Sequence, residues 1–214
     1  MTNGRLWLGT TAVALAATVM TGAQTRPDVK LAPSPRGSAE IQVGGTWTGT
    51  GEDRRYTGGS WIVVDYGRPI LRGRENIFGS GATYGHAVAD GATIWRAGAN
   101  ETTRLTTQAT LAIGSTTVAP GVYNVLVDLK ENAWTLVLST QPAQTKYDPN
   151  EKVLLYGSYN YNPKFDVVRV PMRMSTVDTP VEQFTIGFVN VQADRGSLYM
   201  AWDRTVARAE FAVK

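Results

Sequence analysis

Four arginines, Arg68, Arg72, Arg74 and Arg96, lie in one segment of the chain, interleaved with Tyr66, Tyr84 and Trp95 and followed by Asn100 and Glu101. A guanidinium offers a rigid fork of donors to carboxylate, phosphate or carbonyl oxygens, and it stacks on aromatic rings. The cluster therefore has two readings. In one it is a ligand site, with arginines for an anion or a glycan and flat rings beside them. In the other it is an internal brace, in which Arg68 and Arg96 tie long loops through backbone carbonyls and through Asp65 or Glu101, and Asn100 caps a turn.

Other chemistry is sparser. Asp65, Glu75, Glu101, Asp166 and Asp203 are the acids that could form the facing pair a glycoside hydrolase needs, with Asp65, Glu75 and Glu101 the leading candidates. His86 is the single histidine, so a serine–histidine triad would have to use it. Zinc sites draw on several His or Cys ligands, and Asp90 is the only acid near His86 in sequence. The chain has no cysteine, which removes thiol nucleophiles, thiolate metal sites and disulfides. No P-loop, G-x-S-x-G elbow or H-E-x-x-H occurs. No metal and no cofactor is expected.

The elements that must position these residues read as strands. Trp61–Tyr66 is a β-prone run ending at Gly67. Tyr123, Val125, Val127 and Leu129 alternate, Lys130-Glu131-Asn132 turns the chain, and Ala133–Thr140 returns it as a hairpin. Val168, Val170, Met172 and Met174 share one parity, as do Phe184, Ile186 and Phe188. Leu198, Met200 and Trp202 follow a turn at Asp194-Arg195-Gly196, and Val206–Val213 closes the chain. Apart from Leu6–Val19, no window shows a helical period. The pattern predicts an all-β, single-domain antiparallel β-sandwich, or a related barrel, of roughly nine to eleven strands. Trp134 and Trp202 fall in strand stripes and are expected in the core. Trp47 and Trp61 flank a Gly/Thr-rich hairpin-like stretch and are candidates for exposure.

The segments Asp65–Gly79 (DYGRPILRGRENIFG), Tyr84-Gly85 and Trp95–Glu101 (WRAGANE) resemble a known family, the bacterial domain of unknown function 2911. Ala119–Tyr123, Glu131–Leu138, Tyr161–Val170, Val181–Phe188 and Ser197–Trp202 fit its later strands, so the resemblance runs from Ser38 to Val213. It implies an exported, β-rich domain and brings no established activity. One departure stands out: where the family runs from the Tyr-Gly pair directly into Trp-Arg, residues His86 to Ile94 intervene here. If that loop lines a pocket, ligand access differs from the relatives.

The N-terminus sets the compartment. Arg5, the uncharged apolar or small run Leu6–Val19 and the small residues Thr21-Gly22-Ala23 follow the grammar of a cleavable signal peptide over residues 1–23. The run is short for a bilayer span. Cleavage near Ala23/Gln24 predicts a periplasmic or secreted protein without a stable membrane anchor. Residues 24–37, with three prolines, read as a flexible lead-in, and 38–214 as the folded domain. Removing Arg5 lowers a formal net charge of only +3, so no basic face for nucleic acid is expected. The leading expectation is an exported, non-catalytic domain that binds a small polar or anionic molecule or a glycan through the arginine–aromatic cluster. The alternatives are a glycan-acting hydrolase and a structural envelope domain with the cluster as its brace.

Overall fold

Period-two stripes of Val, Ile, Leu and aromatic residues require two faces to cover, and the chain covers them by stacking sheets. The structure is a computed structural model that describes residues 32–214. The signal peptide expected over residues 1–23 lies outside the described residues.

Twelve strands follow in order: β1 (Arg36–Val43), β2 (Thr46–Thr48), β3 (Arg55–Thr57), β4 (Ser60–Gly67), β5 (Arg104–Thr107), β6 (Leu111–Ile113), β7 (Thr116–Val118), β8 (Gly121–Asp128), β9 (Thr135–Ser139), β10 (Asp166–Pro171), β11 (Arg173–Val189) and β12 (Arg195–Val213). Among the described residues one short α-helix, α1 (His86–Ala89), sits in the loop between β4 and β5. The count exceeds the nine to eleven expected because β2, β3, β6 and β7 have three residues each, too short to show an alternation. The folded region also starts earlier than Ser38: Arg36 and Gly37 already pair with Gly67 and Tyr66.

All strand pairs are antiparallel. One sheet has the order β1-β4-β5-β8-β9-β10, a second β11-β12-β6-β7, and β2-β3 forms a separate hairpin. The hairpin read at Val122–Thr140 is β8 and β9, with Val125 opposite Leu138 and Val127 opposite Leu136. Between the two larger sheets lies the core. Ile62, Val64, Val125, Val127, Leu136 and Leu138 face Leu111, Phe184, Ile186, Leu198, Met200 and Phe211 across it. The fold is thus an all-β sandwich, and Trp134 and Trp202 are buried in it as their stripes require. On the outer face of the first sheet, Leu126 and Val137 pack with Ile94 and Leu155 in a smaller cluster.

Two features of this frame aim the arginine-bearing segment. The loop after β4 is stitched to β11: Pro69 O accepts from Phe184 N at 2.9 Å, and Leu71 N donates to Glu182 O at 2.8 Å. The register of β11 against β12 shifts between Thr176 and Thr185, opposite Asp203, whose φ is 52°. Such a bulge re-aims a side chain; here the Asp203 carboxylate accepts from Ile77 N at 3.3 Å. Phe78 follows and is clasped by Trp134, Trp95, Trp202 and Tyr84, with ring centroids 4.8, 5.8, 6.0 and 6.0 Å away.

Candidate functional site

Trp95 enters the interior as a one-residue extension of the sheet, exchanging backbone hydrogen bonds with Val127 at 2.9 and 2.8 Å. Its ring is only 1% exposed and lies nearly parallel to Trp202, with centroids 6.3 Å apart and planes at 11°. Trp95 therefore cannot offer an open stacking surface to a sugar; it is part of the core. The indole N–H groups of Trp95 and Trp202 are both buried without a hydrogen-bond partner, which is costly for a donor withdrawn from water.

Arg96 comes next, and its side chain is 9% exposed. Its guanidinium lies directly on the backbone of Gly157, where an added Cβ would come within 2.7 Å of Nη1. Nη1 donates to Asn100 O at 2.9 Å, and the guanidinium also faces the Tyr159 hydroxyl, whose pKa it lowers. The Tyr159 ring stands 5.2 Å from the guanidinium carbon. The nearest carboxylate, Asp90, is 3.7 Å from Nη2 and 71% exposed. Asp90 in turn accepts from the Tyr159 hydroxyl at 2.5 Å, and that bond, before any effect of burial, raises the Tyr159 pKa.

A cleft of about 300 Å³ opens here, walled by Arg74, Arg96, Trp95, Trp202, Asn100 and Asp90. Arg74 donates Nε–H to Leu71 O at 2.9 Å and Nη2–H to Ile70 O at 2.7 Å, with its guanidinium carbon 5.7 Å from the Trp202 ring. The loop over residues 86–94 contributes Ala87, Val88 and Asp90 to the wall. Of the predicted site residues, Arg74, Trp95, Arg96 and Asn100 meet at this cleft. Asn100 sits at φ 63° and donates its side-chain amide to Ser34 O at 3.3 Å.

The other predicted residues go elsewhere. Tyr66 is buried and donates its hydroxyl to Ile186 O at 3.1 Å. Arg68 lies over Gly37 and reaches Phe184 O at 3.5 Å. Arg72 is exposed with φ at 52°, turned away from the cleft residues. Tyr84 is half-buried and accepts from Trp134 Nε1 at 2.9 Å; burial raises its pKa. Tyr66, Arg68 and Tyr84 tie or fill the frame.

Glu101 lines a second cleft, of about 370 Å³, with Arg36, Asp65, Tyr66 and Arg104. It pairs with Arg36, whose hydrogen bond holds the Glu101 carboxyl below the ordinary carboxylate range. A glycosidase acid needs the reverse shift. Glu75 is exposed and lines neither cleft. Asp166 is bound through Oδ2 to the Tyr161 hydroxyl at 2.5 Å and to Arg169 at 2.8 Å, while its Oδ1 is buried without a partner; burial, and then this hydrogen bond, push the Tyr161 pKa up. Asp203 serves the bulge contact already described. His86 is exposed at the start of α1. Trp47 and Trp61 are 58% and 41% exposed.

Sequence reasoning missed Tyr159 and Trp202 as neighbours of Arg96. Tyr159 arrives through a tight turn in which Tyr156 and Tyr159 bridge each other, and nothing in its local pattern signals that contact. Trp202 was legible as a core residue, though not as a wall of the cleft.

Comparison with known proteins gives a family match: the family described as Protein of unknown function (DUF2911) matches residues 52–211. No curated protein and no solved structure matches the chain.

Proposed function

This chain belongs to the DUF2911 family, whose description names no activity, and we propose that the protein is an exported, non-catalytic domain that binds a small polar or anionic molecule or a glycan unit in the cleft at Arg96. The observation that carries this is the state of Arg96: a buried guanidinium with one backbone hydrogen bond, to Asn100 O, the Tyr159 hydroxyl beside it and a carboxylate no nearer than 3.7 Å. Buried charges are ordinarily paired and hydrogen-bonded, because desolvation otherwise costs several kcal/mol. Export rests on the N-terminal grammar of residues 1–23.

The test is binding by calorimetry and thermal shift against envelope sugars and small organic acids, with wild type and Arg96→Gln. A ligand that stabilises wild type and leaves a folded R96Q unmoved supports the reading. Flat curves across the panel, or equal binding by R96Q, overturn it. The brace reading keeps a specific share: Arg68, and the two short bonds of Arg74 to Ile70 and Leu71, hold loops irrespective of any ligand.

A further inference from the structure

At the mouth of the Arg96 cleft the protein already places one carboxylate of its own, and its manner of attachment is informative. Asp90 is the C-terminal cap of α1, in the left-handed region at φ 53°, followed by Gly91 at φ 77°. Its Oδ2 receives the Tyr159 hydroxyl at 2.5 Å, and its backbone oxygen lies 3.3 Å from the same hydroxyl. Toward Arg96, however, the approach stops at 3.7 Å, beyond a hydrogen bond and far from the bidentate fork that a guanidinium prefers with a carboxylate. The side chain is 71% exposed. It is thus a carboxylate held by Tyr159 and only approached by the buried cation.

Resting on the binding reading above, we infer that the ligand of this cleft is a small carboxylic acid and that Asp90 is its intramolecular stand-in, displaced from Arg96 when the ligand's carboxylate enters. The donors that greet it are the free N–H edge of Arg96, and the Tyr159 hydroxyl once Asp90 withdraws. The place that Asp90 occupies, bonded to the Tyr159 hydroxyl and facing Arg96, is the place of a carboxylate. A volume of about 300 Å³ sits at the lower end of small-molecule pockets. In the loop that carries Asp90, Ala89 and Ile94 are buried and hold the backbone, while the Asp90 side chain is exposed, so the carboxylate can swing out without disturbing the core.

The experiment compares wild type with Asp90→Asn by titration calorimetry, using lactate and benzoate as carboxylate probes, and lactamide and benzamide as their neutral isosteres. Asparagine tolerates the left-handed region, so D90N retains the cap. Removing a competing exposed carboxylate predicts carboxylate binding tighter by about two- to fivefold, the worth of an exposed ion pair. The amides bind neither protein. Carboxylate binding that is unchanged or weaker in D90N refutes the stand-in role. Amides that bind as well as acids refute the ligand class while leaving the binding reading intact. Carboxylate binding untouched by R96Q refutes the binding reading itself. Absence of binding by either acid to both wild type and D90N refutes the ligand class. Should D90N unfold, the same titrations with Asp90→Ser supply the comparison.

Discussion

Gly67 ends β4 at the point where the chain leaves the sheet for the arginine-bearing loop, and its Cα faces the backbone of the Ala97–Asn100 turn. A Cβ added there would stand 2.0 Å from Ala99 O, 2.9 Å from Ala99 C and 3.1 Å from Ala99 N. These are backbone atoms, so no side-chain rotation relieves the clash. The turn cannot retreat freely either, because Thr103 Oγ1 holds Ala97 O at 2.9 Å and Arg96 holds Asn100 O at 2.9 Å. Restoring ordinary van der Waals separation means moving the turn by about 1 Å or more. Forced overpacking of this kind costs about 1–3 kcal/mol. For a domain of this size that lowers the melting temperature by roughly 2–12 °C. Gly67→Ala is therefore expected to melt clearly below wild type by calorimetry, and to lose affinity for whatever the Arg96 cleft binds, since Asn100 O moves with the turn. A G67A protein whose melting temperature lies within about 1 °C of wild type would refute the close approach, and with it the claim that this turn is pinned against β4.

Two further outcomes follow from the hydrogen-bond pattern. The Arg36–Glu101 pair holds the Glu101 pKa down in the folded state, so its stabilisation is present at neutral pH and is lost as pH falls through that lowered value. Glu101→Gln should cost under about 1 kcal/mol at pH 7, because the pair is half-exposed, and the gap to wild type in thermal melts should close on acidification; a gap constant with pH would sink the assignment. Gln141, buried beside β9, accepts from Asn162 N at 2.9 Å and donates to Val153 O at 3.0 Å and Asn160 O at 2.8 Å. Gln141→Ala should cost about 1–3 kcal/mol and speed amide exchange across residues 142–165 without loosening β8, and equal exchange in both proteins would count against its role as the anchor of that segment.

Much of the sandwich was legible because burial in a two-layer sheet writes itself as period two. Val125 and Val127 opposite Leu138 and Leu136, and the stripe Leu198, Met200, Trp202, were readable for that reason. The site was legible only in part. Arg74, Arg96 and Asn100, grouped because they share one loop-rich segment with many glycines, line one cleft. Arg72 was grouped with them, yet its left-handed backbone turns it outward, and a positive φ at an arginine carries no sequence signal. Trp95 was read as a flat surface because its neighbours look like a loop. Two hydrogen bonds to Val127 instead draw it into the core, and long-range strand bridging of a single residue has no local pattern. Tyr159 lies too far along the chain from Arg96 for spacing to connect them.

Brace and site, posed as alternatives by the residue types, prove compatible once the donors are followed atom by atom. Arg74 spends Nε and one Nη2 hydrogen on Ile70 and Leu71, and Arg96 spends Nη1 on Asn100. Each bond is to a backbone carbonyl within four residues, so each costs little ordering and fixes where the guanidinium lies. The remaining donors are then held in place before any acceptor arrives, which removes part of the entropic cost of binding. A fully satisfied arginine would brace and do nothing more; a wholly free one would bind weakly from a mobile side chain. Exposed Arg72 illustrates the second case. Arg96 occupies the useful middle: pinned by Asn100 and Gly157, faced by Tyr159, and left with donors beside a carboxylate that approaches no nearer than 3.7 Å. That distribution of bonds, more than the presence of four arginines in a row of glycines, distinguishes the Arg96 cleft from the rest of the segment.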